Sequence, residues 1–276
     1  MAIQARQWLR RLAFFYLAYL ILGSLLVRAV EHQYTFHPRS IDAERREELA
    51  QWKEHVIEFD HEGTHLAGWL LPGGGTPDAP LVVYYGGNAE ELSRSIHTAS
   101  RLNASHVLAL NYRGFGDSEG RPTQDALVSD AIYVLNTLLP NLGKTLRDVV
   151  LIGRSIGTGV ASQVAAQLPV GGVILVTPFD SVAAIFVKNT PLPGLPYRLI
   201  LRSPFDSVAA SKNIEMPTLI LVAGKDRVIP ATRSDPLVEA FGERAEVRYF
   251  EKSNHFNIHD HENYWTALNG FLAARH

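Results

Sequence analysis

Val149-Val150-Leu151-Ile152-Gly153-Arg154-Ser155-Ile156-Gly157-Thr158-Gly159 decides how this chain is read. A short apolar run ends in Gly-x-Ser-x-Gly, and a helix-compatible segment follows directly. That order suits a serine presented on a sharp strand-to-helix turn. Such a turn strains the serine backbone, and strand and helix pass so close that the residues two before and two after must be small. The N–H groups that open the following helix point at whatever sits above the serine, so an anion site lies beside an exposed Oγ. The motif alone decides little. Three fixed positions of common residues arise in roughly one chain in ten of this length, and Ser155 would also serve as an ordinary N-cap. The surrounding pattern has to separate the two readings.

The chain has 276 residues, enough for one large α/β domain plus an extension. Hydrophobic residues make up 46%, which supports a sizeable core. A net charge of −2 offers no electrostatic footprint for nucleic acid. With no cysteine, disulfides, thiolate metal sites and cysteine nucleophiles are excluded.

The N-terminus differs from the rest. Residues 12–27 carry no charge and are mostly Leu, Ile, Phe, Tyr and Ala, with Arg6, Arg10 and Arg11 before them and Arg28 after. Sixteen residues make about 24 Å of helix, slightly short of a ~30 Å hydrocarbon core. Ala29 and Val30 extend the run, Arg28 can snorkel, and Trp8, Tyr16 and Tyr19 suit interfacial positions. The basic flank favours a cytoplasmic N-terminus and an extracytoplasmic domain, periplasmic in a Gram-negative bacterium. A cleaved signal is the competing reading, although Val27-Arg28-Ala29 is a poor cleavage site. A buried or interfacial amphipathic helix is disfavoured because polar residues do not recur at helical spacing. The expected organisation is an anchor over residues 1–30, a connector over 31–55 and a catalytic domain over 56–276.

Residues 56–60 and 65–71 read as an opening antiparallel hairpin around Glu62-Gly63. Strand-like runs follow at 81–85, 106–111, 149–152, 173–176, 218–223 and 245–250. Helix-like segments lie at 90–102, 124–139, 156–168, 232–241 and 261–274. Continuous apolar strands alternating with helices predict an α/β fold, a mostly parallel sheet covered on both faces, with ligand sites beyond the strands' carboxyl ends. Four prolines punctuate the interval after the sixth strand, so residues 180–212 are expected to form a cap or lid.

Chemistry is therefore sought just past each strand. After 81–85 comes Gly86-Gly87-Asn88-Ala89, where the Asn88 N–H, together with that of Ile156, can bind a developing oxyanion; the bland alternative is a Gly-rich turn. After 218–223 comes Gly224-Lys225-Asp226, and Asp226 can orient a histidine or simply make a turn. Asp180, past 173–176, is a rival acid. After 245–250 comes His255, a candidate base, ahead of His259 and His261 at a helix start. His255, His259, Asp260 and His261 lack a convincing closed ligand set for zinc, and no cofactor is implied. Ser155, Asp226 and His255 follow the order of nucleophile, acid and base expected for a Gly-x-Ser-x-Gly hydrolase. Tyr112-Arg113-Gly114-Phe115-Gly116-Asp117-Ser118-Glu119-Gly120 reads as a tight structural loop near the site, with an anion contact by Arg113 as the alternative.

With these residues placed, the chain resembles the α/β-hydrolase superfamily, and within it the Bem46-like membrane-anchored serine hydrolases, over roughly residues 56–274. The 112–120 loop is similar to that group's Tyr-Arg-Gly-aromatic-Gly-x-Ser-x-Gly segment, Gly87-Asn88-Ala89 to the end of its His-Gly-Asn-Ala segment, and Gly153-Arg154-Ser155-Ile156-Gly157 to its elbow. Asp226 and His255 fall at its acid and base positions, and a single N-terminal membrane segment is usual there. Gly86 stands where that group generally has His. The resemblance implies hydrolysis of an ester or thioester. Ser155 in place of an elbow Asp argues against epoxide or haloalkane chemistry.

The leading expectation is thus a membrane-anchored serine hydrolase of carboxylic esters, with a lipid or acyl ester reached from the membrane surface. A peptidase or amidase of the same fold stands second. A non-catalytic binding member of the fold stands third, with the intact Ser, Asp and His set against it.

Overall fold

Period-two burial organises the molecule. In the strand Val149–Arg154, Val149 and Leu151 enter one apolar cluster while Val150 and Ile152 enter another on the opposite face. The strand Thr218–Ala223 divides the same way, with Ile220 and Val222 on one side and Leu219 and Leu221 on the other. A strand that is apolar on both faces has to lie inside a sheet covered on both faces.

The computed structural model describes residues 2–275. Its strands are β1 (Val56–His61), β2 (Thr64–Pro72), β3 (Leu81–Tyr85), β4 (His106–Leu110), β5 (Val149–Arg154), β6 (Gly172–Val176), β7 (Thr218–Ala223) and β8 (Ala245–Phe250). They form one sheet in the order β1-β2-β4-β3-β5-β6-β7-β8. The β1–β2 and β2–β4 pairs are antiparallel and the rest are parallel. The hairpin turns at Glu62 and Gly63, both at positive φ (52° and 71°), the shape that joins twisted strands through two residues.

The α-helices are α1 (Ala2–Thr35), α2 (Ala43–Leu49), α3 (Gln124–Asn141), α4 (Ile156–Ala165), α5 (Val182–Asn189), α6 (Tyr197–Ile200), α7 (Ser207–Ser211), α8 (Asp235–Phe241) and α9 (Glu262–Ala273). Residues of α3, α4 and α8 join the cluster on one face of the sheet; α9 and the helical segment Leu92–Arg101 join the cluster on the other.

Three features depart from the sequence reading. The segment expected as a helix over 90–102 is a 3-10 helix, Leu92–Arg101. Ser93, Ser95, Thr98 and Ser100 weaken the regular α form there, and the Ser95 and Thr98 hydroxyls bond Glu90 and the Ser95 carbonyl. The N-terminal helix runs past the expected anchor, through Thr35, with Val27, Glu31 and Phe36 buried. Arg28 donates its Nε–H to the Ile200 carbonyl (3.0 Å), a protein contact that the sequence does not announce. Length and composition make α1 the one helix among the described residues capable of crossing a membrane.

Between β6 and β7, helices α5, α6 and α7 form the cap. It is pinned by Phe186 and Phe205, both fully buried. The Phe186 ring lies 4.5 Å from that of Tyr34, and Phe205 lies 6.2 Å from Phe36. Burying a phenylalanine side chain contributes roughly 2–3 kcal/mol. The cap is therefore welded to the end of α1.

Candidate active site

The turn after β5 is strained. Ser155 sits at φ 53° and ψ −122°, a region that residues with a Cβ rarely occupy. The glycines beside it are required by space. A Cβ on Gly157 would lie 2.0 Å from the Tyr85 carbonyl oxygen, and one on Gly153 would lie 2.3 Å from the Gly157 carbonyl oxygen. Close approach of β3, β5 and α4 lifts the serine above the sheet.

Two other strand ends converge on it. His255 Nε2 lies 3.1 Å from Ser155 Oγ, and His255 Nδ1 lies 2.7 Å from Asp226 Oδ2. A carboxylate only accepts, so the Nδ1–H donates to Asp226 and Nε2 is left to accept the serine hydroxyl proton. The other Asp226 oxygen accepts the N–H groups of Val228 (2.8 Å) and Ile229 (2.7 Å), which fixes the carboxylate. The acid and base loops are tied together, because Gly224 N–H donates to the Phe250 carbonyl and Lys225 N–H to that of Ser253. All three side chains are buried.

The remaining predicted residues fall around this line. Asn88 and Ile156 border the same cavity as Ser155, of about 370 Å³. Neither of their N–H groups has a hydrogen-bond acceptor among the described residues. The rival acid Asp180 is engaged elsewhere, with Oδ2 2.9 Å from Arg233 Nη1. Burial raises its carboxyl above its ordinary value, against the pull of the Ser181 N–H and Arg233. His261 caps α9 by accepting the Asn263 N–H, and exposed His259 pairs with Asp260. Arg113 grips Asp130 in a bidentate pair (2.7 Å each), the structural alternative for the 112–120 loop. Tyr112 from that loop donates its hydroxyl to the Gly86 carbonyl.

Several contributors left no mark in the sequence. Arg154 pairs with Glu90 at 3.0 Å and donates to the His255 carbonyl at 3.2 Å. Glu90 accepts the Gly87 N–H and the hydroxyls of Tyr84 and Ser95. Burial pushes the Glu90 carboxyl up, but Arg154 and these donors outweigh it and hold it below its ordinary value. One ion pair thus links the elbow, the histidine loop and the Gly86-Gly87-Asn88 loop. His37 supplies another brace: its N–H donates to the Asn88 carbonyl (2.8 Å) and its ring Nδ1 lies 3.1 Å from Asn88 Nδ2. At Gly86 a Cβ would lie 2.7 Å from Leu92 Cδ2, so a larger residue there would need Leu92 to move. The cavity's far walls are Tyr34 and Thr35 from α1 and Val182, Ile185 and Asn189 from α5. Thr35 Oγ1 is buried there with no hydrogen-bond partner among the described residues.

Comparison with known proteins agrees with this architecture. A family model described as the alpha/beta hydrolase family matches residues 70–215. This chain belongs to that family. The uncharacterized protein Rv2307c of Mycobacterium tuberculosis is 30% identical over 190 residues, covering 68% of this chain and 67% of its own. The lysophosphatidylserine lipase ABHD12 of Danio rerio is 29% identical over 178 residues, covering 55% of this chain and 44% of its own. Among solved structures, Est1E from Butyrivibrio proteoclasticus superimposes with a TM-score of 0.67 at 17% identity, over 79% of this chain and 98% of its own, a likeness of fold. The relatives agree with the Bem46-like resemblance of this hydrolase.

Proposed function

We propose that this hydrolase is a serine esterase, with Ser155 as nucleophile, His255 as general base and acid, and Asp226 as the residue that orients His255. The continuous contact from Asp226 Oδ2 through His255 to Ser155 Oγ carries the reading. In the forward step the Ser155 O–H proton passes to His255 Nε2 as Oγ attacks the ester carbonyl carbon. The carbonyl oxygen becomes an oxyanion held by the N–H groups of Asn88 and Ile156. Losing one such donor costs about 3–4 kcal/mol in the transition state. His255 then gives its proton to the departing alcohol, and water hydrolyses the acyl-enzyme by the same route.

The substrate proposed is a lipid carboxylic ester at a membrane. A long apolar α1 supports membrane attachment, and the Ser155 cavity has mixed walls: Phe179, Val182, Ile185 and Ile229 for an acyl chain, Thr35, His37 and Asn189 for a polar group. The relative named as a lysophosphatidylserine lipase supports a monoacyl lipid as the substrate class. The basic residues before the apolar run favour a cytoplasmic N-terminus with the catalytic domain on the other side.

Fluorophosphonate labelling of the full chain tests the reading. Labelling that is lost in Ser155→Ala and in His255→Ala supports it. Folded wild type that takes no label sinks the nucleophile assignment and leaves a binding protein of this fold.

A further inference from the structure

The cap lies alongside the apolar part of α1. Tyr19 donates its hydroxyl to the Pro193 carbonyl (2.8 Å), a Cβ on Gly23 would sit 3.1 Å from Leu195 Cδ1, and Arg28 donates to the Ile200 carbonyl. Tyr19, Gly23, Val27 and Glu31 recur every four residues, so one helix face meets the cap over about 14 Å between residues 19 and 28. Residues 19–27 of that face are the last of the uncharged run 12–27.

We infer that residues 192–201 of the cap seat in the interfacial layer of the same bilayer that α1 crosses; this rests on the reading of α1 as a membrane anchor. Length decides it. If the bilayer ended where the cap begins, residues 12–18 alone would remain uncharged, about 10 Å of helix against a ~30 Å hydrocarbon core. Upstream, Arg6, Arg10 and Arg11 allow only the few ångströms that snorkelling gains, well short of the missing length. A crossing by α1 therefore draws the cap to bilayer depth.

The surface of the cap fits that position. Leu199 is 81% exposed and Val187 60% exposed, whereas their neighbours Leu195, Tyr197 and Ile200 are buried against the protein. Pro193, Gly194 and Pro196 add uncharged surface, and the exposed charges beside them are basic, Lys188 next to Val187 and Arg198, paired with Asp206, next to Leu199. Where the uncharged run of α1 stops, Arg28, Arg121 and Arg202 gather round one small cavity, the level at which lipid phosphates would lie. Exposed apolar side chains interspersed with and bordered by basic ones match the interfacial layer of a phospholipid leaflet in depth and in charge.

The cysteine-free chain allows a direct test. Single variants Leu199→Cys, Leu22→Cys and Asn141→Cys are labelled with an environment-sensitive NBD dye and reconstituted in vesicles of phosphatidylcholine and phosphatidylglycerol. Leu22 is an exposed residue of α1; Asn141 is an exposed residue ahead of β5, at the opposite end of the sheet from the cap. Retained fluorophosphonate labelling checks that each variant is folded. The expected result is a blue-shifted emission, quenched by doxyl lipids, at positions 22 and 199, with position 141 quenched by aqueous iodide instead. Position 22 in lipid with position 199 in water would overturn the cap inference and leave the anchor standing. Both positions in water would overturn the anchor reading and the cap inference with it.

Discussion

The elbow at Ser155 and the seam between α1 and the cap are both sites of close packing, but different atoms set their limits. At the elbow the neighbours of Gly153 and Gly157 are backbone carbonyls, which have nowhere to go. Along the seam the neighbours are side chains: Leu195 against Gly23, Phe186 against Tyr34, Phe205 against Phe36. Backbone contact fixes geometry and tolerates no variation, whereas side-chain contact can be repacked. The protein therefore holds Ser155 on the rigid region and shapes the cavity above it with the adaptable one.

The largest effect tests whether chemistry resides at the rigid region. Ser155→Ala and His255→Ala should each lower ester turnover by about 10⁴- to 10⁶-fold with the fold intact. Circular dichroism and steady-state assays check this, and a loss of only tenfold in Ser155→Ala would place the nucleophile elsewhere. Next, Gly157→Ala and Gly23→Ala set the two kinds of contact side by side. Gly157→Ala forces a Cβ against the Tyr85 carbonyl and should cost more than ~3 kcal/mol. Gly23→Ala meets only the end of Leu195 and should cost less than ~1 kcal/mol. Unfolding midpoints in detergent rank the pair, and equal losses would erase the distinction.

Glu90→Gln probes the ion pair that braces the elbow. Leaving Arg154 without its partner should cost about 2–3 kcal/mol near neutral pH. The Glu90 carboxyl is held below its ordinary value of 4.5, so its contribution is complete above that pH and is lost as the pH falls through the lower folded value. The stability gap between wild type and variant should therefore narrow below about pH 4.5, and a gap that widens on acidification would contradict the assigned charge state. A modest effect belongs to the adaptable wall. Tyr34→Ala should lower kcat/KM for long-chain relative to short-chain esters by roughly tenfold, with short-chain turnover nearly unchanged. An equal fall for both would mean that Tyr34 supports the fold and does not select the chain.

The rigid region was legible in the sequence because its signals are local. Apolar runs buried on both faces end just ahead of Ser155 and Asp226, the edge strand β8 with its exposed alternate residues ends just ahead of His255, and each of those residues belongs to a short motif beside its strand. The Glu90–Arg154 pair joins positions 64 apart, and neither residue type nor spacing marks it. The α1–cap seam joins positions 174 apart at Tyr19 and Pro193. A hydropathy pattern reports that α1 is apolar, not that one of its faces is already taken. The 3-10 form of Leu92–Arg101 was missed because its apolar positions fit either helix, while its hydroxyls decide between them.

The end of α1 supplies two walls of the Ser155 cavity, Tyr34 and Thr35, and the chain just beyond it braces Asn88 through His37. On the proposed function, address and selectivity are thereby written into one segment. A lineage that traded its N-terminal helix for another means of attachment would alter its substrate range in the same step. Proteolysis between residues 35 and 37 that released α1 would take Tyr34 and Thr35 with it and open the cavity.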